Sequence, residues 1–331
     1  MFRILLTHTP KALDLQFGPR ALAALSRHGE VRQNPGELLE GEELIAAAQG
    51  CDLIVADRQT ALPGALFEAA PDLLAVLRCA VDIRNIDVDA ASRAGVLVTR
   101  AIPSFATSVA ELALGMMLDT ARGISRAAVA YAAGQAPEVF MGRQLRGETL
   151  GIVGYGAIGQ ELAQMATALG MRVLVTTPES FPEREGISPA PFEDMLARAG
   201  FVVCLAPATP ETLRMFDAHA FATMRRDAIF LNLSRGELVN ETALEAALDA
   251  GRIGGAALDV GSAPDQRPPL PLAARPDITA TPHIGGQTPE AIEGQALHVA
   301  AQVAALASGH VPPDTVNAPR ASRFRRWCDT K

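Results

Sequence analysis

The sequence predicts an α/β chain of two domains, each a parallel sheet wrapped by helices. Three observations carry the prediction. Short apolar runs alternate with helical patterns, as they do where crossover helices join parallel strands. A length of 331 residues, with 49% hydrophobic and 20% charged side chains, suits two sizeable cores. A glycine turn, Gly154-Tyr155-Gly156-Ala157-Ile158-Gly159, falls between a strand pattern and a helix pattern, where doubly wound sheets hold ligands.

The apolar run around Ile4-Leu5-Leu6 makes residues 3–7 the first strand, ended by His8 and Pro10. Further strands are expected at 53–56, 75–78 and 97–99, with a helix such as 42–49 between them, so the first sheet reaches about residue 100. A long helix over 108–133 presents Val109, Leu112, Met116 and Ile124 on one face, and a loop follows over 134–147. The second sheet is expected from strands at 149–153, 172–176, 201–206, 228–233, 256–260 and 278–281. Thr288 is placed to cap the last helix, with Pro289 as its first residue and Gly309 at its end. The proline-rich run 265–271 reads as a loop. The tail 320–331, with four arginines and one lysine, reads as a solvated terminus without a function.

The formal net charge of −8 argues against nucleic-acid and membrane-surface roles, which require a basic face. Cys51, Cys79, Cys204 and Cys328 have no metal-ligand spacing, and Cys51 and Cys204 lie in apolar runs, so no metal is expected and the compartment is reducing. With no signal-peptide pattern and no apolar stretch that spans a bilayer, the expected location is cytoplasmic.

In the glycine turn each glycine has its own expected task. Gly154 permits the tight turn, Gly156 lets backbone approach a pyrophosphate, and Gly159 allows close helix–strand packing. An acidic residue at the end of the next strand ordinarily binds ribose hydroxyls. Here that place reads Val175-Thr176-Thr177-Pro178, with no carboxylate before Glu179 and no arginine before Arg184. Thr177 can hydrogen-bond a ribose or a phosphate, so NAD and NADP both stay open. Glu179, Glu183 and Glu185 tilt the choice toward NAD by repelling an extra phosphate.

Two later motifs each place one useful side chain after a strand. In Asn232-Leu233-Ser234-Arg235-Gly236 the guanidinium of Arg235 can grip a carboxylate and polarise the neighbouring oxygen. A surface arginine at a strand end is the plainer alternative. In Thr281-Pro282-His283-Ile284-Gly285-Gly286 the imidazole of His283 can exchange a proton with an alcohol or ketone near neutral pH. A structural loop histidine is the alternative there. His8, at the end of the first strand, is read as structural.

Together with 78–87 (RCAVDIRNID), 108–112 (SVAEL) and 145–151 (LRGETLG), these motifs give a sequence that resembles the D-isomer-specific 2-hydroxyacid dehydrogenase family over nearly its whole length. Phosphoglycerate dehydrogenases and glyoxylate/hydroxypyruvate reductases belong to that family. The resemblance implies a flavodoxin-like substrate domain split between 1–100 and 287–331, and an inserted Rossmann NAD(P)-binding domain over 101–286. It implies an active site in the cleft between them, a homodimer with the long helix from about Val109 in the interface, and hydride exchange between NAD(P)H and a 2-oxo acid. It also implies Arg235 and His283 as catalytic residues, Asp259 near the nicotinamide, and backbone N–H groups of Cys79, Ala80 and Val81 on the substrate carboxylate. The expected cofactor-binding set is the turn Gly154, Tyr155, Gly156, Ala157, Ile158 and Gly159 with Thr177, Ala206, Pro207, Thr212, Leu233, Ser234, Asp259, Gly285 and Gly286. The long regulatory C-terminal domain of some phosphoglycerate dehydrogenases is expected to be absent.

One segment departs from the family pattern. Members typically pair the histidine with a glutamate in Asp-Val-Phe-x-x-Glu-Pro, whereas this chain reads Asp259-Val-Gly-Ser-Ala-Pro264-Asp265. Pro264 cannot ionise. Either Asp265 replaces the glutamate and orients His283, or Asp265 is a solvated loop acid. Two rival functions stay open: oxidation of formate or phosphite, and a corepressor-like dinucleotide sensor with little catalysis.

Overall fold

A computed structural model describes residues 1–330. The chain divides into two compact units, one formed by Met1–Ser104 with the segment from Thr288 onward, the other by Phe105–Gln287.

The first unit holds five strands, β1 (Phe2–Leu6), β2 (Gly29–Gln33), β3 (Leu53–Ala56), β4 (Ala75–Arg78) and β5 (Leu97–Thr99). They are parallel, in the order β2-β1-β3-β4-β5 of a flavodoxin-like sheet. β3, β4 and β5 are buried throughout. Apolar side chains therefore point to both faces, as helix-covered parallel strands require. β2 is the strand that periodicity did not reveal. It is a polar edge, Gly-Glu-Val-Arg-Gln, paired on one side only.

The C-terminal segment completes this unit. The helix Pro289–Ala307 opens on Thr288, whose hydroxyl accepts from Ala291 N at 3.3 Å. Its buried Gln302 accepts from Thr99 Oγ1 at 2.7 Å. Asn317 accepts from Val98 N at 2.8 Å and donates to Val96 O at 2.9 Å, extending the contacts beyond β5. The basic tail is not a solvated terminus. It forms the helix Ser322–Asp329, in which Phe324 is buried and Trp327 lies 5.0 Å from the Phe2 ring. Arg323 donates to Ala70 O at 2.7 Å and Phe67 O at 3.2 Å, capping the end of the helix Gly64–Ala69. A cation on terminal carbonyls is the favourable pole of a helix.

At the carboxyl ends of β1, β3 and β4 a polar cluster is sealed inside this unit. His8 is 2% exposed, Asp57 3% and Arg78 0%. Arg78 donates to Asp57 O, to Thr60 O at 3.0 Å and to Asn85 Oδ1 at 2.6 Å. Burial draws its guanidinium down to about 10. Burial also draws His8 down to about 4, against the opposing pull of Asp57 at 3.8 Å and with help from Arg78. The neutral imidazole has a consequence for stability. Between pH 6.5 and about 4 the unfolded chain takes up a proton that the folded unit refuses. Stability should therefore fall as pH drops through that window, by roughly 3 kcal/mol in all, and level off below it. Urea midpoints at pH 7 and pH 4.5 check this. The His8→Asn variant should lose that part of the slope, and a slope unchanged in the variant would contradict the assignment.

The second unit holds β6 (Thr149–Val153), β7 (Arg172–Thr176), β8 (Ile187–Pro189), β9 (Phe201–Cys204), β10 (Ile229–Asn232), β11 (Gly255–Leu258) and β12 (Ile278–Ala280). All are parallel, in the order β12-β11-β10-β9-β6-β7-β8. The order reverses beside β6, as in Rossmann sheets. β8 is a three-residue edge ending in Pro189, too short to give a period. The long helix expected over 108–133 is two helices, Ala106–Arg122 and Ile124–Ala132, because Gly123 adopts φ 64°. The proline-rich run is a loop only up to Pro269; Leu270–Ala273 is a short helix with Pro271 in its first turn.

Candidate cofactor and catalytic site

β6 is buried at all five positions and stops at Gly154, whose φ of 98° suits no side chain well. A Cβ there would lie 2.7 Å from Ala206 N. At Gly159 a Cβ would lie 2.4 Å from Gly154 O. The fold itself therefore demands these two glycines. Gly156 differs: a Cβ there would meet nothing within 4 Å. It caps the helix Ala157–Ala168 without any side-chain hydrogen bond, and the first helical N–H to find a carbonyl is that of Gln160, to Gly156 O at 3.0 Å. Open space above bare backbone at a helix N-terminus is a cradle for an anion. These residues fit the pyrophosphate of a dinucleotide.

At the ribose end, Thr176 Oγ1 donates to Ala190 O at 3.0 Å, whereas Thr177 Oγ1 accepts only the long contact from Glu179 N at 3.4 Å. The Tyr155 and Phe181 rings lie 4.4 Å apart, packing the loop after β7 onto the glycine turn.

Strand register sets the other candidates side by side. Cys204 pairs with Asn232, Asn232 with Leu258 and Leu258 with Ala280. Arg235, Asp259 and His283 each follow by one to three residues, so β10, β11 and β12 deliver them to the same carboxyl rim of the sheet. Asn232, which sequence reasoning passed over, shapes the first of these turns. It is buried, accepts from Ser234 N at 3.1 Å and donates to Arg235 O at 2.9 Å. An Asn at a strand end followed by Ser two residues later is the available signal for such a turn. Ser234 Oγ donates to Ala206 O, and Thr212 Oγ1 donates to Pro207 O at 2.7 Å, fixing the loop after β9. Arg235 Nη1 donates to Ser234 O at 2.7 Å. Gly236 packs so tightly that a Cβ would lie 2.3 Å from the Gly261 carbonyl carbon.

Asp259 is 2% exposed and holds the loop after β12. Its Oδ1 accepts from Thr281 Oγ1 at 2.7 Å and from Ile284 N at 2.8 Å, and its Oδ2 accepts from Gly285 N at 2.9 Å. His283 lies within that bracket at φ 60°. Asp265 is engaged elsewhere. Its side chain is 54% exposed, pairs with Arg267 Nε at 3.1 Å and accepts from Arg267 N at 3.2 Å, in a tight turn with Gln266 at φ 62°.

In the first unit the loop after β4 is mixed in its capacity to bind an acid. Cys79 N already donates to Ala56 O at 2.9 Å, so it is not available. Among the described residues, Ala80 and Val81 donate no backbone hydrogen bond within the protein. The Cys79 thiol is buried and pushed up by desolvation, which keeps it protonated. No described helix is long and apolar enough to cross a membrane.

Residues 114–285 match the family model described as D-isomer specific 2-hydroxyacid dehydrogenase, NAD binding domain. A D-3-phosphoglycerate dehydrogenase of Methanocaldococcus jannaschii is 34% identical over 90% of this chain, which spans only 57% of that relative's length. A glyoxylate reductase of Thermococcus kodakarensis is 35% identical over 88% of this chain and 91% of its own. Among solved structures, a protein of Thermus thermophilus aligns with a TM-score of 0.83 at 32% identity, over 95% of this chain and 99% of that one.

Proposed function

Since the chain belongs to the D-isomer-specific 2-hydroxyacid dehydrogenase family, we propose that it exchanges a hydride between NAD(P)H and a 2-oxo acid, giving a D-2-hydroxy acid. The observation that carries this reading is the register that sets Arg235, Asp259 and His283 on one rim beside an open glycine cradle. Gly154, Gly156 and the start of the helix Ala157–Ala168 hold the pyrophosphate, and Thr177 meets the ribose. The cofactor supplies the hydride. The protein supplies the rest. Arg235 grips the acid and stabilises charge on its C2 oxygen, and His283 gives or takes the proton there. In the first unit the backbone N–H of Cys79 is spent on Ala56 O, whereas those of Ala80 and Val81 are not spent within the described residues. Glyoxylate and other short 2-oxo acids are the first substrates to try, given the named activity of the Thermococcus relative.

A panel of 2-oxo acids, formate and phosphite, assayed with both reduced and oxidised NAD and NADP by nicotinamide absorbance, tests the proposal. Turnover of at least one 2-oxo acid is expected, with NADH preferred over NADPH. Turnover of formate or phosphite alone would replace this reading, and binding without any turnover would favour a sensor.

We also propose a homodimer. Within the long helix expected at the interface, the Val109 side chain itself is only 6% exposed. The apolar surface on offer lies further on, at Ile124, Val129, Tyr131, Phe140 and Met141, which are 47–92% exposed. Light scattering should return twice 34.8 kDa, and Val129→Glu should shift the mass toward one copy. A wild-type monomer at micromolar concentration would overturn this.

A further inference from the structure

We propose that Asp259 is a positioning residue for His283, acting through the backbone of the loop and latched by the Thr281 hydroxyl. This rests on the reading of His283 as the proton donor and acceptor.

The loop is unusual in what it requires. Pro282 has no N–H to give and restricts Thr281 to extended backbone. His283 follows at φ 60°, a left-handed conformation uncommon outside glycine, although histidine reaches it more often than most residues. Such a residue persists only where its surroundings over-determine it. Among those surroundings is one buried carboxylate that brackets the residue on both sides. Asp259 accepts from the residue two before the histidine, through Thr281 Oγ1 at 2.7 Å, and from the two residues after it, through Ile284 N at 2.8 Å and Gly285 N at 2.9 Å. All three bonds are charge-assisted, and at 2% exposure water competes little for them. Gly285 is needed for the approach, since a Cβ there would lie 3.0 Å from Asp259 Oδ2. β11 in turn fixes Asp259, whose N–H donates to Asn232 O at 3.0 Å, and Asn232 also shapes the Arg235 turn. One buried network thus holds the backbone that carries both side chains. Asp265 bonds to Arg267 instead.

Thr281 lets this be tested without altering the carboxylate itself. Thr281→Val keeps the shape of the side chain and removes one of the three donors. Its kcat should fall between about 10- and 100-fold, the scale of a small misplacement of a reacting group, while KM for the nicotinamide cofactor holds. In the ligand-free variant the Ile284 and Gly285 amides should exchange faster with deuterium than in wild type. Thr281→Ser, which retains the donor, should restore both kcat and amide protection. Asp259→Asn should accelerate exchange further.

Wild-type kcat and amide protection in Thr281→Val would overturn the proposal. So would a Thr281→Val defect seen in cofactor KM alone. The exchange readout needs no substrate. If wild type turned over no 2-oxo acid, the reading of His283 would fail by itself while the loop's dependence on Asp259 was still decided.

Discussion

Replacing Gly156 with valine should give a folded chain that no longer holds a nicotinamide dinucleotide. The expectation follows from a contrast within one turn. At Gly154 and Gly159 a Cβ collides with backbone at 2.7 and 2.4 Å, so side chains there should damage the fold. At Gly156 the φ of −72° suits any residue, and a Cβ meets nothing within 4 Å. The space has no use within the protein's own packing. A valine there should cost about 1 kcal/mol or less of stability, the scale of an altered helix cap. It should weaken dinucleotide binding by about 100-fold or more, by filling the place where an anion meets the helix N-terminus. Thermal unfolding and fluorescence titration with NADH separate the two effects. Unimpaired binding by folded Gly156→Val would put the pyrophosphate elsewhere. Gly159→Ala should show the reverse order, with lost stability preceding lost binding.

Much of this arrangement is legible in the chain itself, for a physical reason. A buried parallel strand is a short apolar run, and 53–56, 75–78, 97–99, 149–153 and 172–176 coincide with observed strands residue for residue. The edges β2 and β8 are hidden because an edge strand need not be apolar on both faces. Gly123 was visible, but its left-handed break in the helix was not, since helical periodicity survives a single kink. The tail reads as charged, while its packing depends on Phe324 and Trp327 meeting residues from the far end of the sequence.

The candidate site divides in the same way. Arg235 and His283 stand out as candidates by residue type and strand position, and the family resemblance selects them over the plainer alternatives. The role of Asp259 does not, because its partners lie 22 to 26 residues away and two of them are backbone N–H groups. Cys79 shows the converse. The family resemblance implied a substrate contact there, but its N–H is spent on Ala56, a pairing that only the sheet reveals.

His283→Asn should lower kcat for 2-oxo acid reduction by about 10²- to 10⁴-fold, the range for loss of a positioned acid–base group. NADH binding should be unaffected, since the loop bonds to Asp259 come from the backbone of Ile284 and Gly285 and the side chain of Thr281. Arg235→Gln should behave differently. It removes both the grip on the carboxylate and the charge facing the C2 oxygen, so KM for the acid should rise as kcat falls. Steady-state kinetics distinguishes them: the loss in the His283 variant should fall on kcat alone, whereas that in the Arg235 variant should fall on both kcat and KM for the acid. An Asn variant with wild-type kcat would leave His283 as a loop residue whose left-handed backbone serves structure alone.

The most direct measurement follows the transferred hydrogen. Wild-type protein is incubated with a 2-oxo acid that carries a side chain, so that its product is chiral, and with NADH carrying deuterium in both positions of the reactive nicotinamide carbon, and the product is analysed for isotope and configuration. Deuterium at C2 of a D-2-hydroxy acid is the predicted result, greatly slowed in His283→Asn. A product of L configuration, or no deuterium transferred to any 2-oxo acid by protein that binds NADH, would contradict the account.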